Sequence, residues 1–374
     1  MQKKIIALAI AGLASSAAFA QANVTIYGVA DVGQAWVKST SGKDAAGNRV
    51  NQPTVGRLDS NSSYIGFKGA EALGNGLTAV FQFETTVNAD TGGFGAGRDT
   101  YAGLAGAFGT VAAGRLTHPL REMGVRVDIL PGDAGIGTVN SVTGQLAGLK
   151  TGADERASNA VAYISPTFGG GFSATAAWVN GETRTNGTNS VNTRAWQIAG
   201  KYDNGPLFVG LGYHKTKDGL VNGAIPSAYS LDARVWRLAA VYTAPFGTRF
   251  SGLYDNTKVD NLEGDASGKR YAWSLGAAHT FGANTIGLQY ARSSETKLDH
   301  GHDNWNDKAN IWTLGYQYEL SKRTMLQARY SRLSNGNGGN FNFYNNPVSN
   351  NGTNTSGIVD ARYAGFMVGM RHSF

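Results

Sequence analysis

The sequence predicts an all-β protein: a 16-stranded antiparallel up-and-down transmembrane β-barrel with an inward-folded long third loop. Three observations predict it. Segments of about eight to twelve residues alternate apolar with polar or small residues, the period-2 mark of strands with two unlike faces. The connections between them alternate short and long. One connection, Leu116 to Ala157, is far longer than a passive loop needs to be, and its stretch Val125 to Leu130 is too apolar for a solvated tail.

Val24-Thr25-Ile26-Tyr27 opens the first strand. In Leu77 to Glu84, the residues Leu77, Ala79, Phe81 and Phe83 share a face opposite Thr78, Gln82 and Glu84. Phe172, Ala174, Ala176 and Trp178 repeat the pattern, as do Trp312, Leu314, Tyr316 and Tyr318 against Thr313, Gly315, Gln317 and Glu319. Leu326, Ala328 and Tyr330 oppose Gln327, Arg329 and Ser331. At the end Phe366, Val368 and Met370 alternate with Met367, Gly369 and Arg371. Aromatic residues near strand ends, such as Tyr27, Trp36, Tyr101, Trp178, Trp236 and Tyr254, suggest girdles at lipid–water boundaries, although ordinary strand packing also favours them.

Short connections with turn residues fall at Gly74-Asn75-Gly76, Ala107-Phe108-Gly109, Ser165 to Gly171, Asp203-Asn204-Gly205-Pro206, Ala244-Pro245-Phe246-Gly247, Phe281-Gly282-Ala283 and Ser321-Lys322-Arg323. Long polar ones are expected near 38–56, 87–99, 116–157, 181–193, 217–231, 259–269, 295–307 and 334–357. Eight long and seven short connections join sixteen strands. Each strand then pairs with its sequence neighbour and the first meets the last, because an open sheet edge cannot be satisfied in lipid. A barrel this wide cannot fill its bore with wall side chains alone, which leaves room for a folded-in loop.

Composition agrees. The 374 residues include 52 Gly, 8 Pro and no Cys, a balance that suits many strands and tight turns and excludes a disulfide framework or thiolate metal site. The net charge of +7 suggests anionic solutes, and no basic cluster large enough for nucleic acid stands out. Lys3 and Lys4, the apolar run Ile5 to Leu13 and Ala18-Phe19-Ala20 read as a cleaved export signal over residues 1–20, the run being shorter than the roughly 18 residues of a membrane anchor. Residues 21–374 contain no linker and read as one domain.

By parity, Lys68, Glu84, Lys201, Arg237 and Arg329 face the bore, with Arg115 and Arg156 at the roots of the long loop. No H-E-x-x-H or G-x-S-x-G motif occurs. Gly264-Asp265-Ala266-Ser267-Gly268-Lys269 is one residue short of a phosphate loop and has Arg270 where Ser or Thr should follow. His300-Gly301-His302-Asp303 with Asp307 reads as a polar loop tip rather than a cation site. No enzyme, cofactor or metal is expected.

Val24 to Asp31, Ile65 to Leu77, Phe108 to Arg115, Asn159 to Pro166 and the terminus Val368 to Phe374 together resemble trimeric general porins of Gram-negative bacteria, β-proteobacterial branch. The resemblance spans nearly the whole chain after residue 20. It implies an outer-membrane homotrimer and a passive diffusion channel for small hydrophilic solutes and ions. A substrate-selective channel on the same barrel is the alternative, and an outer-membrane enzyme a remote third. The resemblance further implies loop carboxylates, here Glu122, Asp128 and Asp133, facing wall cations, here Lys68, Arg115, Arg156 and Arg237. Tyr64 stands where the family often has a bore arginine, so the expected anion preference is weak. Phe374 preceded by Met370, Val368 and Phe366 resembles the signal read by the barrel-assembly machinery, with His372 departing from the usual aromatic.

Overall fold

The computed structural model describes residues 24–129, 135–184, 192–219, 231–262, 266–299, 304–349 and 358–374. Its main sheet closes on itself. The first strand, Thr25–Lys43, pairs antiparallel with the last, Arg362–Ser373, from Val29↔Ser373 to Thr40↔Arg362. The backbones of Gly28 and Phe374 continue this ladder through bonds of 3.1 and 3.2 Å. Every other wall strand pairs antiparallel with its sequence neighbours.

Two segments, Arg49–Ser60 and Tyr64–Gly74, form one interrupted second strand. Both pair with Thr25–Lys43 in nearly the same register, Val32↔Ser60 and Thr25↔Lys68. With these counted together, and the two-residue Lys297–Leu298 set aside, the wall has sixteen strands.

Alternation sorts the two faces as expected. Gln82, Gln197 and Gln327 are buried inside, while Ile198 and Leu326 are exposed outside and Phe81 is partly so. Exposed outward residues such as Leu211, Leu238, Leu275 and Leu288 form an apolar exterior that suits hydrocarbon. Two aromatics depart from the girdle reading: the hydroxyls of Tyr27 and Tyr101 bond Glu84 and Gln82 inside the bore.

Two expected long connections are mostly strand. Thr25–Lys43 and Arg49–Ser60 leave only residues 44–48 between them, and Leu77–Asn88 and Gly93–Gly106 leave only 89–92. These strand ends are polar on both faces, so no alternation marks them. The described parts of the stretch 118–155, residues 118–129 and 135–155, do not pair with the wall as strand but carry structure of their own. They contain helix α1 (Pro119–Val127), a 3₁₀ turn (Val139–Ser141) and a small hairpin (Gln145–Leu146 with Leu149–Lys150).

Candidate functional site: the bore and its two inserted loops

The bore is shaped by a loop that follows part of the wall. Helix α1 opens on Pro119, whose fixed φ and missing N–H suit a first helical turn. It packs against the strands between Asn192 and Asp260. Beyond it, Gln289 accepts from the Ile129 N–H (3.3 Å) and donates to the Val127 carbonyl (3.2 Å). The Thr313 hydroxyl donates to the Gly137 carbonyl at 3.0 Å. Gly137 has φ +92°, and an added Cβ would lie 2.0 Å from Ser331 Oγ, so this approach requires glycine. On the return, Arg270 donates to the Val142 carbonyl (2.7 Å) and the Gly144 N–H donates to Asp255 (2.8 Å).

One buried cluster fastens the loop. Arg237, fully buried, donates to both oxygens of Asp154 on the loop, to Asp255 on the neighbouring strand (2.8 Å) and to the Leu120 carbonyl (2.9 Å). A buried guanidinium requires this degree of compensation. Arg237 therefore faces the bore side, as parity indicates, but underneath the loop rather than beside the solute path.

The described part of the last long connection, up to residue 349, also turns inward. Phe341, Phe343 and Val348 are buried with Ile136, Val139 and Val142 in one apolar cluster inside the barrel. The Tyr344 N–H donates to Ser141 Oγ (3.2 Å), and Arg57 reaches the carbonyls of Asn346 (2.7 Å) and Pro347 (2.8 Å). The Asn/Gly-rich composition of this segment hid three aromatic anchors.

These loops leave the lining of the early strands facing the bore. There Arg98 Nε lies 3.3 Å from Glu84, and its guanidinium covers the Tyr64 ring at 4.4 Å. Arg156 lies 3.4 Å from Asp99, Arg57 lies 2.9 Å from Asp59, and Lys68 stands over the Tyr27 ring at 4.7 Å. Of the other residues singled out, Glu122 on α1 faces Lys201 at 3.7 Å. Arg115 pairs with Thr100, on the outward face shared by Ala113 and Val111, and donates to the Gly97 carbonyl (2.7 Å) and Ser158 (2.9 Å). Asp133 and the His300 to Asp303 tip lie outside the described residues. Phe366, Val368, Met370 and Phe374 are all exposed on the exterior, and His372 bonds Thr324 at 2.8 Å.

Sequence reasoning missed Arg98, Asp255 and Asp31. Arg98 follows a register shift between Thr85↔Gly97 and Phe83↔Thr100, so simple parity cannot place it. Asp31, at the start of the chain, binds Arg371 (2.7 Å) and Gln327 (2.7 Å), a pairing that exists only because the barrel closes.

Asp128 is buried in the loop, accepting the Val139 N–H at 3.0 Å. Burial pushes its carboxyl up to about 7, against the lowering pull of that bond and of Arg329 and Arg249. A folded-state value above that of an unfolded aspartate stabilises the docked loop fully below about pH 4, and this contribution is lost as pH rises through about 7. The swing is on the order of 4 kcal/mol. Single-channel current noise should therefore grow between pH 5 and 8 and become pH-independent in Asp128→Asn; identical pH profiles for the two would exclude the effect.

Comparison with known proteins agrees with this geometry. A family model described as Gram-negative porin matches residues 7–338. Outer membrane porin protein 32 of Delftia acidovorans is 33% identical, with 100% of both chains covered. The major outer membrane protein P.IB of Neisseria gonorrhoeae is 30% identical, covering 90% of this chain and 95% of that protein. Among solved structures, an anion-selective porin from Comamonas acidovorans superposes with a TM-score of 0.73 at 30% identity, over 95% of this chain and 100% of that one. OmpT of Vibrio cholerae shares the fold at a TM-score of 0.68 and 14% identity, over 96% and 99%.

Proposed function

This chain belongs to the Gram-negative porin family, and from that premise we propose that its bore passes small hydrophilic solutes and ions passively, with a preference for anions. The burial order within the bore's ion pairs carries the reading. The Glu84 side chain is 7% exposed behind an Arg98 that is 19% exposed, and Asp59 is 6% exposed behind an Arg57 at 24%. A passing ion therefore meets guanidinium before carboxylate. At Arg156–Asp99 the order reverses, 14% against 22%, which keeps the preference modest. Lys68, over a ring rather than a carboxylate, adds positive charge. The anion selectivity of the Comamonas acidovorans neighbour supports the same sign.

Purified protein in a planar bilayer under a KCl gradient should give a reversal potential of the sign set by chloride; a potassium-set potential would overturn the preference. On the loop side, Glu122 opposite Lys201 adds an exposed pair at the bore's edge. Asp128 acts from within the loop rather than on the solute. Arg115, on the outward face, stands outside the solute path and is not one of the bore's cations, while Asp133 is assigned to the same loop-side carboxylate set.

The working form is a homotrimer, a reading supported by the trimer form described for OmpT of Vibrio cholerae. A species that migrates as a large band unheated and as a monomer after boiling is the expected gel result; one monomeric band in both lanes would sink it. Residues 1–20 act as a cleaved export signal. Phe374, with Met370, Val368 and Phe366, presents the outward aromatic and apolar pattern for barrel assembly, at the strand that closes the sheet.

A further inference from the structure

The early strands carry a patch of aromatic rings on their bore face. Tyr27 pairs with Gly66, Gly66 with Glu84, Lys68 with Gln82 and Gln82 with Tyr101, so these positions are neighbours on successive strands of the wall. Gly66 has no side chain to hold the Tyr27 ring away: a Cβ there would lie 2.7 Å from Tyr27 Cζ. The ring therefore lies close on the wall, edge-to-face with Tyr64 at 6.1 Å between centroids. Tyr27, Tyr64 and Tyr101 all remain partly exposed.

The polar groups around the rings are already engaged with one another. The Tyr27 hydroxyl donates to Glu84 (2.7 Å), the Gln82 amide donates to the same carboxylate oxygen (3.0 Å), and Arg98 Nε donates to the other (3.3 Å). The Tyr101 hydroxyl donates to the Gln82 side-chain oxygen at 3.3 Å. Both hydroxyls thus turn to the wall, and ring carbon is left facing the water of the bore.

What is left over is positive. Among the described residues Lys68 has no carboxylate partner, and its ammonium stands 4.7 Å from the centre of the Tyr27 ring. Arg98 lies over Tyr64 at 4.4 Å and gives only its Nε to Glu84, so its terminal NH2 groups donate to no acceptor among the described residues. A guanidinium held over a ring offers its free edge to a carboxylate and its open face to a second ring.

We propose that this patch is a subsite for aromatic carboxylates, small solutes that join a planar ring to a negative charge. The ring of such a solute covers the exposed tyrosine carbon and the Arg98 face, while its carboxylate takes the terminal NH2 groups of Arg98 or the Lys68 ammonium. A neutral sugar must donate as well as accept, and the acceptors of this patch are taken. An organic cation is opposed by Lys68 and Arg98. The inference deepens the anion preference proposed for the bore and rests on the reading of a solute-passing channel.

The test adds benzoate, cyclohexanecarboxylate or benzyl alcohol to the full chain near neutral pH. Single-channel current is read in a planar bilayer under KCl, and ligand contact by saturation-transfer NMR on the protein in detergent. Cyclohexanecarboxylate matches benzoate in charge and in apolar bulk but has no π face. Benzoate should reduce the current saturably and bind about two- to twelvefold more tightly than cyclohexanecarboxylate, the range of one aromatic contact. Benzyl alcohol, which lacks the charge, should leave the current unchanged. Tyr64→Leu should bring benzoate down to the level of cyclohexanecarboxylate, and Tyr64→Phe should keep the wild-type ratio. Equal affinity of the wild type for benzoate and cyclohexanecarboxylate overturns the proposal and needs no variant to fold. So does equal block by benzyl alcohol, or an undiminished ratio in Tyr64→Leu. The NMR contact needs no current, which separates the two readings. A potassium-set reversal potential with the benzoate advantage intact would sink only the anion preference of the bore. A chloride-set potential with no benzoate advantage would sink only the subsite.

Discussion

Replacing Arg237 by Met is expected to release the long loop from the wall and raise single-channel conductance. The substitution leaves Asp154 and Asp255 facing each other in a site where both carboxylates are buried, with no cation between them. Breaking one partner out of a buried charge cluster costs about 3–5 kcal/mol, because the remaining charge is desolvated and uncompensated. The Leu120 carbonyl, at the first turn of α1, loses the bond from this guanidinium as well. Strands Leu231–Thr243 and Thr248–Asp260 keep their ladder, so the barrel should survive while the loop detaches. Larger, noisier conductance steps and faster proteolysis within 139–155 are the expected readouts. The triple variant Arg237→Met/Asp154→Asn/Asp255→Asn should recover much of the loss, since it removes all three charges together. Wild-type conductance and proteolysis in the single variant would show that the loop is held elsewhere.

The second large effect is expected from Arg98→Glu. The change places a carboxylate beside Glu84, removes the guanidinium from the Tyr64 ring and alters the local charge by two. At the effective dielectric of a wet, partly exposed gap, such a change is worth roughly 1–2 kcal/mol to a passing ion, about five- to thirtyfold in relative permeability. The reversal potential should cross toward the potassium-set sign at low salt. In 1 M salt, where the screening length is about 3 Å, the difference between wild type and variant should shrink markedly. Arg115→Glu, on the outward face, is the control and should leave selectivity unchanged. If Arg98→Glu and Arg115→Glu behave alike, the solute path does not run past Arg98.

The loop glycines and the bore arginines show where sequence reasoning reaches and where it stops. Alternation in segments such as Leu77 to Glu84 is a local property with a period of two. It places Gln82, Gln197 and Gln327 inside and Ile198 and Leu326 outside without any tertiary information. The apolar stretch after Val125 likewise announces a loop that cannot remain in solvent: Val127 and Ile129 are buried inside the barrel.

Arg98 could not be placed in this way, because the irregular pairing of 77–88 with 93–106 shifts its phase. Nor could Arg237 be distinguished from a free wall charge. Its partner Asp154 lies 83 positions away and Asp255 lies 18 away on the next strand, and only the docking of the loop brings the three together.

The sequence by itself determined the sheet, the inside and the outside of its wall, the short and long ends and the presence of an inward loop. All of these follow from which side chains avoid water and from turn chemistry read a few residues at a time. Only the tertiary structure decided which part of the bore stays lined by the early strands, that a second loop enters beside the first, and that Tyr27 and Tyr64 stand in the bore with cations over their rings. Those outcomes depend on register and on pairings between distant positions, where one bulge or one buried ion pair changes what a residue faces.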